Sequence, residues 1–362
     1  MSAAIASSAG LQTDRPAPGL LGFAERGLLP DFLLRAGIRR LCAQRLAACN
    51  EGGIGASQER HQRLISALRR SPLAIHTDAA NTQHYELPTA FFQHCLGPHL
   101  KYSACYFPEE HSTLEEAELA MLELYAQRAK LANGQEILEL GCGWGSLTLW
   151  MAERFPGSRI TAVSNSQTQR AYILAQCQAR GLHNVQVITC DINALDLPGE
   201  SYDRCVSVEM FEHVRNHELL MERIAGWLRP AGQLFVHIFV HRHAAYPFET
   251  DGQDNWMGRH FFTGGMMPAA DTLLWFQRDL RLDRQWLVDG NHYKRTANAW
   301  LARQDAHREP LLALLRETYG SEPLARLWFQ RWRMFWMACA ELFGYANGQE
   351  WLVAHYRFVR DC

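Results

Sequence analysis

The feature that most constrains this chain is one junction. A five-residue strand pattern, Glu136–Leu140 (EILEL), runs directly into Gly141-Cys142-Gly143-Trp144-Gly145 and then into a helical pattern over Leu147–Arg154. A strand that ends in a glycine turn and restarts as a helix opens a βαβ unit, which commits the chain to a parallel sheet covered by helices. The rhythm continues through Arg159–Ser164, Val185–Cys190, Arg204–Val208 and Gln233–Val240, with helical patterns over Gln167–Arg180 and His217–Leu228 between them. Pro230-Ala231-Gly232 is placed to stop the third helix before the fifth strand. Beyond Val240 the order gives way to a stretch rich in aromatics and turns. It returns as helices over Thr296–Arg316 and Pro323–Leu342 and closes on a strand-like Trp351–Val359.

Ahead of this α/β region lies a different pattern. Residues 1–18 are small, polar and proline-bearing, which predicts a flexible terminus. From Gly19 the spacing of Leu28, Phe32, Leu33 and Ile38 predicts helix, with Arg35, Arg39 and Arg40 on a solvated face or, in the alternative, at a membrane surface. Glu51-Gly52-Gly53-Ile54-Gly55 interrupts it. The predicted organisation is a helical cap over 19–114 and one α/β domain over 115–362, with an insertion at 241–282 that closes over a substrate.

The glycine turn narrows the ligand. A dinucleotide site asks for G-x-G-x-x-G and an acid ending the second strand, and a phosphate loop asks for Gly-Lys-Ser/Thr. Here the spacing is E-x-G-x-G-x-G (Glu139 to Gly145), and the second strand ends in Ser164-Asn165-Ser166. With Asp191 after the third strand, the pattern resembles the S-adenosylmethionine (SAM) site of Rossmann-like methyltransferases. The resemblance implies that Glu139 and the backbone of Gly141 and Gly143 hold the amino-acid end, while Asp191 and Ile192 face the adenine. A carboxylate suits a ligand with a sulfonium and an ammonium and no phosphate.

The end of the fourth strand carries Glu209-Met210-Phe211-Glu212-His213. If the chain turns helical at once, Glu209, Glu212 and His213 share a face. Two carboxylates beside an imidazole raise one another's proton affinity, which suits a general base near neutral pH.

These residues join others in a family resemblance. His84-Tyr85-Glu86-Leu87-Pro88, Tyr102-Ser103-Ala104-Cys105-Tyr106-Phe107, Ser164–Gln169 and Met210–Val214 resemble the cyclopropane-fatty-acid-synthase superfamily. Asn165 with Gln169, Glu209, the run from Phe235 through Tyr246-Pro247-Phe248-Glu249 to Arg259–Gly265, and Cys339–Gly344 are similar to its coclaurine N-methyltransferase group. The resemblance spans residues 80–362. It implies a seven-stranded sheet with the last strand antiparallel, SAM as cofactor, and Tyr85, Tyr102, Ser103, Asn165 and Gln169 as further cofactor contacts. It also supports Glu209, Glu212 and His213 as the catalytic trio, the order within the trio staying open. Lipid-modifying members are similar in holding a bicarbonate ion through a Cys, a Glu, a His and a Tyr. The matching positions here are Ala104, Glu212, His237 and Tyr293, so the Cys is lost, and Glu209 stands where those enzymes have a small residue. A carboxylate at Glu209 takes over the ion's role or its charge space.

The expected reaction is therefore SAM-dependent N-methylation of a small arylalkyl or tetrahydroisoquinoline-like amine, the alternative being methylation or cyclopropanation of an unsaturated lipid acyl chain. His237, Trp256, Phe261 and Tyr293 are the expected substrate contacts, and aromatics interleaved with Glu249, Asp251 and Asp254 suit an organic cation. His237, His241 and His243 share strand spacing, but no fourth ligand accompanies them and no metal is expected. A net charge of -2 gives no reason to expect nucleic acid or an anionic membrane as partner. Ten cysteines without CxxC spacing, no signal-peptide pattern and no run near the ~20 apolar residues of a membrane span fit a cytoplasmic enzyme, with a homodimer left open.

Overall fold

The computed structural model describes residues 15–75, 87–250 and 255–361. Runs rich in apolar and β-branched residues make the parallel strands: β1 (Glu136–Leu140), β2 (Arg159–Ser164), β3 (Val185–Thr189), β4 (Tyr202–Val208) and β5 (Leu228–His241). They lie in the order β3-β2-β1-β4-β5. β6 (Tyr246–Pro247) and β7 (Met266–Met267) form a small antiparallel pair inside the insertion. β8 (Arg281–Val288) and β9 (Trp351–Val359) complete a seven-stranded sheet, with β9 antiparallel between β5 and β8. The register of β9 sets His355 directly opposite His237.

Twelve α-helices surround the sheet in the described residues: α1 (Gly19–Glu25), α2 (Asp31–Asn50), α3 (Gly53–Arg70), α4 (Thr89–Cys95), α5 (Leu114–Ala129), α6 (Ser146–Arg154), α7 (Gln167–Arg180), α8 (His217–Trp227), α9 (Trp256–His260), α10 (Gly290–Ala306), α11 (Arg308–Tyr319) and α12 (Glu322–Phe343). One core cluster joins α4, α10 and α12 through Phe91, Phe92, Trp300, Trp332 and Trp336. A second packs α3 and α8 against one side of the sheet.

Three local readings of the sequence are corrected. The third helix ends at Trp227, ahead of Pro230, and Pro230-Ala231-Gly232 lie in a bulge of β5 between the pairs Tyr202–Leu228 and Arg204–Gln233. The helix predicted over Thr296–Arg316 is two helices, because Pro310 cannot sit inside a continuous one; the chain breaks at His307 and restarts with Pro310 in the first turn of α11. On α2, Arg35 and Arg39, read as solvated, bond the carboxylate of Glu341 on α12 at 2.8 and 2.7 Å. The inward face of α2 is Leu34, Ile38, Cys42 and Leu46, not Phe32 and Leu33, which are exposed. Leu20, Phe23 and Leu28 are exposed beside them.

Candidate active site

The glycine turn is built for close approach. Gly141 has φ +79°, and a Cβ there would stand 2.8 Å from Met210 Cβ; Gly145 has φ +78° and would meet Ile173 at 2.6 Å. Only glycine meets both demands, so the turn can pass beneath Met210 and start α6 against α7. Two adjoining hollows open at the carboxyl ends of β1, β2, β3 and β4, spanning about 800 and 500 Å³ with the solvent space at their mouths, and both are lined by Gly141, Gly143 and Glu209. Asn165, Gln169, Asp191, Ile192 and His213 line the larger; Tyr102, Ser103 and Glu139 line the smaller. Tyr85 lies outside the described residues, as do Asp251 and Asp254.

Glu139 is 2% exposed, and Thr148 Oγ1 donates to it at 2.5 Å. Burial pushes its pKa up to about 8 against that hydrogen bond. Such a carboxyl gives up its proton readily only when a cation faces it. Nearby walls carry buried polar atoms without a protein partner: Trp144 Nε1, Ser146 Oγ and Gln169 Nε2. Gln169 Oε1 is already taken by Ser164 Oγ at 2.6 Å, which leaves its amide nitrogen for a ligand. A ligand with a cationic amino-acid end and a polar nucleoside end fits this donor and acceptor set.

Where the hollows meet, Glu209 is held from behind by three partners. Its backbone is left-handed (φ +46°), a conformation that costs a non-glycine residue about 1–2 kcal/mol. The backbone N–H of Glu209 donates to His237 O at 2.9 Å. Oε1 accepts from Ala104 N at 3.0 Å and lies 3.1 Å from His237 Nε2, while Oε2 accepts from Tyr293 Oη at 2.8 Å. Lys101 lies close by, 2% exposed, with Nζ donating to Ser103 Oγ and to Ala104 O at 2.5 and 2.6 Å. Burial raises the pKa of Glu209, and the Ala104 N–H, the Lys101 ammonium and the Tyr293 hydroxyl oppose it.

The expected trio separates. Only a single turn of 3-10 helix, Phe211–His213, follows Glu209, so the three side chains do not share a helical face. His213 reaches the larger hollow and stacks on Phe262 with ring centroids 5.9 Å apart. Burial lowers its pKa to about 4, against the pull of Glu209, so the imidazole is neutral. Glu212 is 2% exposed, does not line either hollow, and its Oε2 has no partner. Burial and the charge of Glu209 push its pKa well up, and with Ala104 N–H, His237 and Tyr293 around Glu209 and none of them at Glu212, the charge of the pair belongs on Glu209.

The expected substrate contacts fall in two groups. His237 and Tyr293 touch Glu209 and stand behind it. Trp256 and Phe261 do not line the hollows: Trp256 Nε1 donates to Glu25 on α1 at 2.8 Å, and Phe261 stacks on Phe335 of α12 at 4.3 Å. His241 is committed to its own turn, its Nδ1 accepting from the backbone of His243 and Ala244. Sequence reasoning missed Ala74, Ile75, Lys101, Trp144 and Cys190 in the lining. Trp144 adjoins motif residues, and that adjacency was the available signal. Lys101 resembles a surface lysine until Tyr125 is seen 5.0 Å away, covering its ammonium.

Comparison with known proteins places this geometry in context. The family model for mycolic acid cyclopropane synthetase matches residues 74–350. The chain is 37% identical to the (S)-coclaurine N-methyltransferase of Thalictrum flavum subsp. glaucum over 94% of its length and 95% of the relative's. A crystal structure of coclaurine N-methyltransferase bound to N-methylheliamine and S-adenosylhomocysteine matches with a TM-score of 0.90, covering 94% of this chain and 98% of that one at 37% identity. The cyclopropane-fatty-acyl-phospholipid synthase of Escherichia coli strain K12 is more distant, 28% identical over 77% of this chain and 68% of its own.

Proposed function

The chain belongs to the mycolic acid cyclopropane synthetase family of SAM-dependent methyltransferases, within its coclaurine N-methyltransferase-like group, and from that premise we propose that it transfers a methyl group to the nitrogen of a small arylalkyl or tetrahydroisoquinoline-like amine. The observation that carries this reading is the seat of Glu209. Ala104 N–H, His237 and Tyr293 grip its carboxylate as a small anion would be gripped, and one edge of it still faces the cleft. An anion fixed there attracts an ammonium and leaves no space in the cradle for a bicarbonate ion.

Bound SAM supplies a methyl group on cationic sulfur. Glu139 and the Gly141–Gly143 backbone would hold its amino-acid end with Tyr102 and Ser103, and Asn165, Gln169, Asp191 and Ile192 its nucleoside end. Glu209 would hold the amine beside the junction of the hollows, at the near-attack distance of about 3–3.5 Å from the methyl carbon. An ammonium has no lone pair, so the amine drawn to Glu209 would first give a proton to neutral His213; the methyl group would then pass to nitrogen, its bonding pair staying on sulfur, and Glu209 would stabilise the positive charge left on nitrogen. Glu212, neutral and off the cleft, is poorly placed to be the acceptor.

Nine described cysteines are free thiols and no described helix is long and apolar enough to cross a membrane, which supports a cytoplasmic location. The exposed apolar side chains of α1 and α2 favour the second reading, an acyl-chain substrate reached at a bilayer. One assay separates the two. Radiolabelled SAM incubated with an amine panel and with unsaturated phospholipid vesicles should label amines alone; label in the lipid, with vesicle flotation, would transfer the assignment to lipid chemistry.

A further inference from the structure

Glu209 is the visible end of a longer chain of polar groups. Behind it His237 and His355, both fully buried, stand opposite each other on β5 and β9. His237 Nδ1 is 2.8 Å from His355 Nε2. His355 Nδ1 is 2.6 Å from Nη1 of Arg128, in the last turn of α5. Arg128 is anchored in turn: Arg357 Nη1 donates to its carbonyl at 2.8 Å, and its guanidinium covers Trp286 at 5.1 Å.

The direction of every proton in this chain follows from its first member. A guanidinium has donors only and does not lose its proton in a protein. His355 Nδ1 must therefore accept, which puts that ring's proton on Nε2. That proton faces His237 Nδ1, which must accept in turn, so the proton of His237 sits on Nε2 and points at Glu209 Oε1. Tyr125 Oη lies 2.9 Å from the same His237 Nδ1, and its hydroxyl, able to donate or accept, fits either tautomer, so the assignment rests on Arg128. Both rings are neutral, because burial and the neighbouring cations hold their pKa values far below the usual imidazole range.

We propose that Arg128 and His355 are positioning residues for Glu209. The one-way sequence Arg128 to His355 to His237 to Glu209 fixes the tautomer of His237 and with it the orientation of the carboxylate in the cleft. The proposal rests on the reading that Glu209 holds the amine. Neither residue touches the cleft, and the group doing the setting is separated from it by two imidazoles. With the opposite tautomer, a ring lone pair would face the carboxylate and repel it.

Histidine-labelled protein (¹⁵N) tests the assignment directly, since two-bond proton couplings tell a protonated ring nitrogen from a bare one. Variants His237→Gln and His355→Gln identify the signals. Both rings should carry the proton on Nε2 in the wild-type chain. Arg128→Met, which keeps the packing on Trp286 but neither donates nor accepts, should release the tautomer of His355 and lower kcat about tenfold, the scale on which orienting partners act, with KM for SAM unchanged. Arg128→Lys should restore both the tautomer and the rate. A proton on Nδ1 of either ring in the wild type, or an unchanged kcat in folded Arg128→Met, would overturn the proposal. If the wild-type chain methylates no amine, the reading of the site fails, and the tautomer spectrum still decides the donor chain.

Discussion

At the scale of single residues, charge assignment does most of the sorting. Glu209 and Glu212 are alike in sequence and opposite in state, because one has Ala104 N–H, His237 and Tyr293 for partners and the other has an unpartnered oxygen. Gln copies a protonated Glu and not an ionised one. Glu209→Gln should therefore lower kcat by about 10²–10³-fold, in the range for losing one fixed electrostatic partner, whereas Glu212→Gln should lose far less. Steady-state rates of the two variants decide it, and equal losses would mean the charges are assigned wrongly. His213→Ala should cost about 10²–10⁴-fold in kcat if its ring takes the proton. Glu209→Gly offers a sharper experiment, since glycine tolerates the left-handed backbone that glutamate occupies under strain. The emptied cradle keeps its donors, so added formate or bicarbonate should recover part of the lost rate while chloride does not.

At the scale of elements, what was legible depended on burial. β1, β2, β4 and β5 stood out because strands in the middle of a parallel sheet carry long buried apolar runs, the edge strand β3 by its β-branched Val185, Val187 and Ile188, and the glycine turn because its spacing is chemical. β8 was invisible for the converse reason: as an edge strand with Arg281, Asp283, Arg284 and Gln285 among its first five residues, it has neither an apolar run nor a clean alternation. The role of α1 was equally hidden. Its Glu25 is fully buried, taking Arg331 Nε at 3.0 Å and Trp256 Nε1 at 2.8 Å, so one carboxylate clasps α1, α9 and α12 together. Burial opposes its charge, but Arg331 and the hydrogen bonds from Trp256 and Ala17 outweigh burial and hold its pKa low. Glu25→Ala would remove the carboxylate that Arg331, itself 1% exposed, bonds in the core, and should destabilise the fold by about 3–5 kcal/mol in urea titration. A loss under 1 kcal/mol would show that the clasp is decoration. The same contact explains why Trp256, read in sequence as a pocket wall, is a structural residue: no local signal announces a partner that lies two hundred positions upstream.

At the scale of the whole molecule, the site sets how stability responds to pH. The sequence supplied the types of residue, but only the packing of β9 against β5 and of α5 against the sheet shows how many ionisable groups are enclosed. Burial raises the carboxyls of Glu118 to about 7 and Glu139 to about 8, and raises Glu209 and Glu212 as well. His213, His217 and His241 are lowered by burial to about 4. The two classes act over different windows. Between pH 4 and 6.5 the unfolded chain binds protons that the folded histidines refuse, so their share of stability grows as pH rises and is complete by 6.5. The raised carboxyls bind protons that the unfolded chain releases near 4.5, so their share falls as pH rises, and for Glu139 the fall continues to about 8. From 6.5 to 8 the carboxyls act without these three histidines. The Tm of the ligand-free protein should therefore decrease across that window. Cofactor binding should run the other way, because an ionised Glu139 is the form that a cationic ligand selects: affinity should rise with pH toward 8, and binding at pH 7 should release a proton. Calorimetric scans with and without SAM should show a stabilisation by the ligand that widens from pH 6.5 to 8. A gap that narrows would mean that Glu139 is already ionised in the free protein, or that it does not face the cation at all.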